Sequence, residues 1–88
     1  MKISGKKREK ISEQLLAYLY SISPKSAFTS KIAEEVARDE EFIKNLLVEL
    51  KNKRLLNEIK KNPKGIPYQK RIRWKLSDEA YKLYNGLQ

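Results

Sequence analysis

The residues in this sequence best suited to chemistry are basic side chains, and most of them lie in one segment. Residues 51–76 hold ten Lys and Arg residues against one acid, a net charge of +9, and residues 1–12 hold five against one, a net charge of +4. Ammonium and guanidinium groups bind phosphate oxygens through charge-assisted hydrogen bonds. The whole chain of 88 residues also carries a formal charge of +9. We therefore expect a polyanionic partner, either nucleic acid or an anionic surface.

The sequence contains neither Cys nor His. Their absence removes disulfides, thiolate chemistry, imidazole bases and the usual zinc-ligand sets. The Lys, Tyr and carboxylate side chains that remain show no spacing that suggests a catalytic pair. We predict that the protein is not an enzyme and binds neither a cofactor nor a metal.

The location of the protein is predicted from its apolar segments. No apolar run approaches the roughly 20 residues that span a bilayer, and the first residues lack the apolar segment of a secretion signal. We expect a cytoplasmic protein with no membrane partner, associated with the nucleoid if the polyanion is DNA. The composition, rich in Lys, Glu and Ile and without Cys, is also typical of heat-adapted organisms.

A chain of this length favours one domain with a single modest core. No apolar periodicity precedes Ile11, so residues 1–10 are predicted to form a basic arm and residues 11–88 a single domain. From Ile11 onward, apolar residues recur at spacings of three and four, which predicts a helix that ends near Ser21, ahead of Ser23-Pro24. The small core also makes a homodimer plausible.

Two further helices are predicted before residue 54. The side chain of Thr29 or Ser30 can cap a helix over residues 31–37. Asp39 can cap a third helix that extends to about residue 53, with Glu40 and Glu41 near the positive end of its dipole. Two helices joined by a short turn form a helix-turn-helix. The predicted inward face of the third helix is Ile43, Leu46, Leu47 and Leu50.

The period of the pattern changes after residue 54. Charged and apolar residues alternate over residues 70–76, which predicts a strand with a buried face of Ile72, Trp74 and Leu76. Residues 55–60 supply a partner strand, and the Asn-Pro-Lys-Gly sequence at residues 62–65 is typical of a turn. The charged face of this hairpin is predicted to be Arg71, Arg73 and Lys75.

A last helix is predicted after the hairpin. Ser77 is its expected N-cap, and Leu83, Tyr84 and Leu87 form its expected apolar side. The fold class is therefore α+β: a winged helix-turn-helix with a three-helix core, a C-terminal fourth helix and a small antiparallel β-hairpin wing.

This order of elements and a set of hydrophobic spacings resemble the winged-helix regulators of bacteria and archaea, the MarR-like and ArsR-like groups in particular. The resemblance covers roughly residues 10–88. The segments that carry it are Thr29-Ser30-Lys31-Ile32-Ala33-Glu34, Ile43-Lys44-Asn45-Leu46-Leu47-Val48-Glu49-Leu50, Leu55-Leu56 and Leu76-Ser77-Asp78-Glu79-Ala80.

The sequence departs from these groups at three places. Ala37 and Arg38 occupy the turn where Gly and an aliphatic residue are usual. Arg54 stands where Gly commonly precedes the second strand, which implies a left-handed backbone at Arg54. Phe42 replaces a small polar residue and is expected to fold back towards the gap in the turn.

The resemblance implies a small transcriptional regulator that binds double-stranded DNA, whether sequence-specifically or generally. The third helix would enter the major groove, and the wing would lie along the backbone or the minor groove. The residues predicted to read base edges are Lys44, Asn45, Val48, Lys51 and Asn52. The residues predicted to contact the DNA backbone are Lys6, Lys7, Arg8, Lys60, Lys61, Lys64, Lys70, Arg71, Arg73 and Lys75.

Charge qualifies this prediction, because residues 31–50 hold three basic residues and six acids, a net charge of −3. Most of the affinity is therefore expected from the arm and the wing.

Three alternatives stay open. The wing charge could serve only solubility, Trp74 and Tyr68 could stack on unpaired bases, or the domain could be a protein-interaction adaptor in a replication or transcription complex, with Glu40, Glu41 and Phe42 as its contact.

Overall fold

The fold described here comes from a computed structural model that describes residues 5–60 and 72–86. The predicted order of helix, strand, helix, helix, strand, strand, helix is confirmed, and with it the α+β winged-helix class. The elements of the described residues are α1 (Gly5–Ile22), β1 (Ala27–Phe28), α2 (Thr29–Glu35), α3 (Glu40–Asn52), β2 (Leu56–Ile59), β3 (Arg73–Leu76) and α4 (Asp78–Gly86).

The three strands form one antiparallel sheet in the order β1-β3-β2. Leu56 pairs with Leu76 at one end of the β2–β3 ladder and Ile59 with Arg73 at the other. On the opposite edge of β3, Ala27 pairs with Trp74. The base of the predicted hairpin is confirmed, and the predicted turn at residues 62–65 lies outside the described residues.

The core lies where the inner faces of the helices meet the sheet. Helix α1 contributes Ile11, Leu15 and Leu19, which are spaced four residues apart and therefore lie on one side of the helix. The predicted inner face of α3 is confirmed. The buried apolar residues from the other elements are Ala27, Ile32, Ala33, Leu56, Trp74, Leu76 and Ala80.

Trp74 is the largest fully buried side chain of the described residues. Its indole Nε1 donates a hydrogen bond to Thr29 Oγ1 at 2.8 Å. The Thr29 backbone N–H donates to the carbonyl of Ile72, at 3.3 Å. The central strand is thereby fixed to the first residue of α2, which orients the helix-turn-helix relative to the sheet.

Two predicted helix starts were wrong. Helix α1 begins at Gly5, not at Ile11, so residues 5–10 of the predicted arm are helical; charged residues continue a helix without any apolar period to reveal it. Helix α2 begins at Thr29 with Phe28 as N-cap, and no side chain caps it. The Thr29 hydroxyl accepts from Trp74 instead of capping the helix.

The other two predicted caps are confirmed. Asp39 Oδ2 accepts the backbone N–H of Phe42 at 3.1 Å. Ser77 Oγ accepts the N–H of Ala80 at 3.1 Å and donates to the carbonyl of Arg54 at 2.9 Å. Ser77 therefore starts α4 and also holds α4 against the end of the helix-turn-helix.

Helices α2 and α3 both end in a Schellman motif, with hydrogen bonds that close the last turn. The residue that takes the left-handed conformation is Ala37 after α2, with φ of 53°, and Arg54 after α3, with φ of 64°. The left-handed backbone expected at Arg54 is confirmed. Neither position has the glycine that this conformation favours, so each carries a local energetic cost.

The apolar side of α4 was predicted only in part. Tyr84 packs against the core as expected, whereas Leu83 is 63% exposed, contrary to the prediction. Ala80 is the residue that α4 buries. Leu83 is three residues after Ala80 and Tyr84 is four residues after it. The spacing of four places Tyr84 closer than Leu83 to the buried side of the helix.

The Trp74–Thr29 hydrogen bond gives a stability prediction. Replacing Thr29 by Val keeps the shape of the side chain but leaves the buried indole N–H without its acceptor. We expect Thr29→Val to lower the free energy of unfolding by about 1–3 kcal/mol, measured by urea denaturation. Thr29→Ser is the matched control, since it keeps the hydroxyl and loses one methyl group. Equal stability of the two variants would contradict this role for the hydroxyl.

The strain at Ala37 gives a second prediction. Ala37→Gly removes only a Cβ atom from an exposed left-handed residue, so we expect the free energy of unfolding to rise by about 1 kcal/mol. Ala17 is also exposed but lies inside α1. The same deletion there, Ala17→Gly, should lower the free energy of unfolding by about 1 kcal/mol. Changes of the same sign in thermal melts would argue against strain at Ala37.

Candidate nucleic-acid interface

The outer face of α3 is the first part of the candidate interface. Because Ile43, Leu46, Leu47 and Leu50 point into the core, the opposite side of the helix faces solvent. All five predicted base-reading residues are exposed on that side: Lys44, Asn45, Val48, Lys51 and Asn52. The helix can therefore present a mixed surface of amide, ammonium and methyl groups.

The N-terminal end of α3 is acidic. Asp39, Glu40 and Glu41 are all exposed there, and they line a surface depression together with Ser30 and Lys44. Carboxylates at this end stabilise the helix dipole but repel phosphate. A phosphate backbone would consequently approach the C-terminal half of α3 more readily than its first turn.

The C-terminal end of α3 is linked to β2 by a cluster of three charged residues. Glu58 Oε1 lies 3.5 Å from Lys51 Nζ and 3.3 Å from Lys60 Nζ. Lys51 was predicted to read bases and Lys60 to contact the DNA backbone, so two candidate residues share one carboxylate. We call these three residues the Glu58 cluster.

Arg8 is held between α1 and α3. Its guanidinium pairs with the Glu49 carboxylate and lies 5.7 Å from the centroid of the Phe42 ring. Phe42 itself is half-buried and packs against the core. Arg8 therefore links two helices, a contact that the sequence did not reveal because its partners are more than 30 residues away.

The charged face of β3 is only partly open. Arg73 and Lys75 are half-buried, and the Arg73 guanidinium lies 4.5 Å from the centroid of the Phe28 ring on the neighbouring strand. Lys75 borders a small cavity together with Pro24, Asp78 and Tyr81. The two side chains leave the sheet on the side away from Trp74, as predicted, but neither is fully exposed.

The remaining backbone-contact candidates divide into two groups. Lys6 and Lys7 are exposed on the first turn of α1. The other group lies outside the described residues: Lys61, Lys64, Lys70 and Arg71. Tyr68, the alternative stacking residue, lies outside them as well.

The surface formed by α1 and α4 is aromatic. The Tyr20 ring lies 5.5 Å from that of Tyr84 and 5.4 Å from that of Tyr81, measured between ring centroids. Partial burial raises the pKa of Tyr84, with a smaller contribution from Glu13. Tyr84 is thus part of the packing between α1 and α4, and Tyr81 lies at its exposed edge.

One side chain with a shifted pKa, Lys31, lies on α2, the first helix of the helix-turn-helix. Lys31 Nζ lies 3.0 Å from Glu35 Oε1, and this hydrogen bond raises the pKa of Lys31. The pair follows the i, i+4 spacing of a helix surface. Lys31 therefore stays protonated at neutral pH, and the Glu35 carboxylate offsets part of its charge.

The described residues form neither a membrane-spanning helix nor a cluster of metal ligands. No helix within residues 5–60 and 72–86 has the length and apolarity to cross a membrane. Over the same ranges, no group of three or more His, Cys, Asp or Glu residues is arranged to hold a metal ion.

Comparison with known proteins gives matches only at the level of structure. No protein-family model and no curated protein matches the sequence. A structure of the MepR–DNA complex from Staphylococcus aureus superposes with a TM-score of 0.75 and 20% identity, covering 93% of this chain and 64% of that one. ZitR, a zinc-responsive MarR family member from Lactococcus lactis, gives 0.68 and 15%, covering 97% and 51%.

A third similar structure is the PcaV transcriptional regulator from Streptomyces coelicolor in complex with its natural ligand. It has a TM-score of 0.64 and 19% identity, and the match covers 88% of this chain and 49% of PcaV. This chain thus spans between 49% and 64% of the length of these three proteins.

The fold is therefore that of a winged helix-turn-helix domain, with α2 and α3 as the helix-turn-helix and β2 and β3 as the base of the wing. The same fold occurs in ZitR, a MarR family member, so the winged-helix fold that the resemblance implied is confirmed.

Proposed function

We propose that this protein binds double-stranded DNA and acts as a small transcriptional regulator without enzymatic activity. The observation that carries the proposal is the exposed face of α3, where Lys44, Asn45 and Val48 lie together on a winged-helix fold. A protein with the same fold, MepR, has been solved in complex with DNA. A regulator of this kind would act in the cytoplasm, on the nucleoid.

The binding mode proposed here places α3 in the major groove and the wing along the DNA backbone. Asn45 and Asn52 can each make two hydrogen bonds to adenine, and the Val48 methyl groups can contact the methyl group of thymine. The acidic first turn of α3 favours an approach through the C-terminal half of the helix. Phosphate contacts would come from the basic residues of the first turn of α1 and of the wing.

A homodimer is also part of this proposal. Leu83 and Tyr81 are large hydrophobic side chains that α4 leaves exposed. A second copy could cover them. Two copies would double the number of phosphate contacts.

The adaptor alternative is less well supported. Its expected contact included Phe42, whose ring is half-buried and covered by the Arg8 guanidinium. The hypothesis that unpaired bases stack on Trp74 is wrong, because Trp74 is fully buried and its indole N–H is hydrogen-bonded.

Binding to random duplex DNA at increasing salt tests the proposed function. About six phosphate contacts should give a slope of roughly −5 in log K against log salt concentration, measured by fluorescence anisotropy. Charge reversal by Lys44→Glu should weaken binding about tenfold, a cost of about 1.4 kcal/mol. Lys82→Glu makes the same charge change on the exposed surface of α4 and is the control.

Two results would contradict the proposal. Absence of binding at about micromolar protein and low salt would favour the adaptor, since non-specific dissociation constants of about 10⁻⁴–10⁻⁶ M at physiological salt become much smaller at low salt. Equal losses from Lys44→Glu and Lys82→Glu would show that net charge alone, and not the face of α3, determines binding.

A further inference from the structure

Glu58 is the only acid among residues 51–76, which also hold ten basic residues. The structure places it on β2, on the same face of the strand as the buried Leu56. Its side chain is only 14% exposed, whereas those of Lys51 and Lys60 are 43% and 68% exposed. The carboxylate is thus much more buried than either of the two lysines that it pairs with.

Both lysines approach the same carboxylate oxygen, at 3.5 Å and 3.3 Å. Lys51 comes from the last turn of α3, and Lys60 follows the end of β2. The Glu58 cluster therefore spans the junction between α3 and the wing. Its net charge is +1, although two ammonium groups face solvent.

A DNA phosphate that approached either lysine would compete with Glu58 for the same ammonium groups. An ion pair with a half-buried carboxylate is less screened by water than one on an open surface. Two other ion pairs, Arg8–Glu49 and Lys31–Glu35, use more exposed carboxylates, at 53% and 42%. Of these three acids, Glu58 is consequently the best placed to retain its basic partners.

We propose that Glu58 is an intramolecular competitor of DNA phosphate that lowers non-specific affinity and so determines specificity. The inference rests on the proposed function. On random duplex, Lys51 and Lys60 stay paired with Glu58 and contribute little. At a specific site, base contacts along α3 compensate for breaking these pairs, and both lysines then contact the DNA.

The test compares Glu58→Gln with wild type on random duplex. Gln keeps the size of the side chain and removes the charge, so both lysines become available to phosphate. We expect tighter binding and a salt slope steeper by about 1.8, which adds roughly a tenfold loss of affinity between about 50 and 200 mM salt. Glu13→Gln is the matched control, since Glu13 is exposed on α1 and makes no ion pair within the described residues.

Lysine variants test whether Lys51 and Lys60 cause the tighter binding expected of Glu58→Gln. Lys51→Gln together with Lys60→Gln should abolish the gain when added to Glu58→Gln. In the wild-type background, the same pair of changes should leave the salt slope for random duplex nearly unchanged. This second measurement also tests the proposal if Glu58→Gln does not fold, as judged by circular dichroism.

The outcomes separate the two proposals. If wild type binds duplex and Glu58→Gln matches Glu13→Gln in affinity and slope, the role of Glu58 is overturned while the proposed function stands. A flatter slope for the lysine double variant in the wild-type background would also overturn it, because those lysines would already contact phosphate. If neither wild type nor Glu58→Gln binds duplex, the proposed function fails and this inference fails with it.

Discussion

The hydrogen bond between the Trp74 indole and Thr29 is the contact on which the arrangement of this domain depends. Trp74 lies in the middle strand of the sheet, and Thr29 is the first residue of the helix-turn-helix. A buried indole without an acceptor would cost free energy, so the two elements are held in one relative position. This contact therefore helps to orient the helix-turn-helix relative to β2 and β3.

The candidate interface is a pattern of paired charges and not a plain basic surface. Arg8 pairs with Glu49, and Lys51 and Lys60 pair with Glu58. The Arg8–Glu49 pair joins α1 to α3, and the Lys51–Glu58 pair joins α3 to β2. The acids of the domain therefore position basic groups and at the same time reduce their attraction for a polyanion.

Local pattern was enough to predict most of the fold. The apolar spacings of α3, the caps at Asp39 and Ser77, and the alternation around Trp74 each depend on residues close in sequence, and all are confirmed. The failures have two different causes. Thr29 was expected to cap α2, but a partner 45 residues away takes its hydroxyl, and the charged start of α1 has no apolar period that could mark it.

The sequence predicted where the residues of the candidate site lie better than it predicted which residues they contact. The outward direction of Lys44, Asn45 and Val48 follows from helical geometry once the buried face of α3 is known. The sharing of Glu58 by Lys51 and Lys60 does not follow from any spacing, because it depends on how β2 packs beside the end of α3. Net charge by segment therefore overstated the number of available cations.

Binding of DNA across the outer face of α3 and the adjoining wing can be mapped by NMR, from the backbone amide chemical shifts during titration with a short random duplex. We expect the largest changes at the amides of Lys44, Val48 and Asn52, with little change at Leu83 on α4. Changes concentrated on α4, with the α3 amides unaffected, would contradict it.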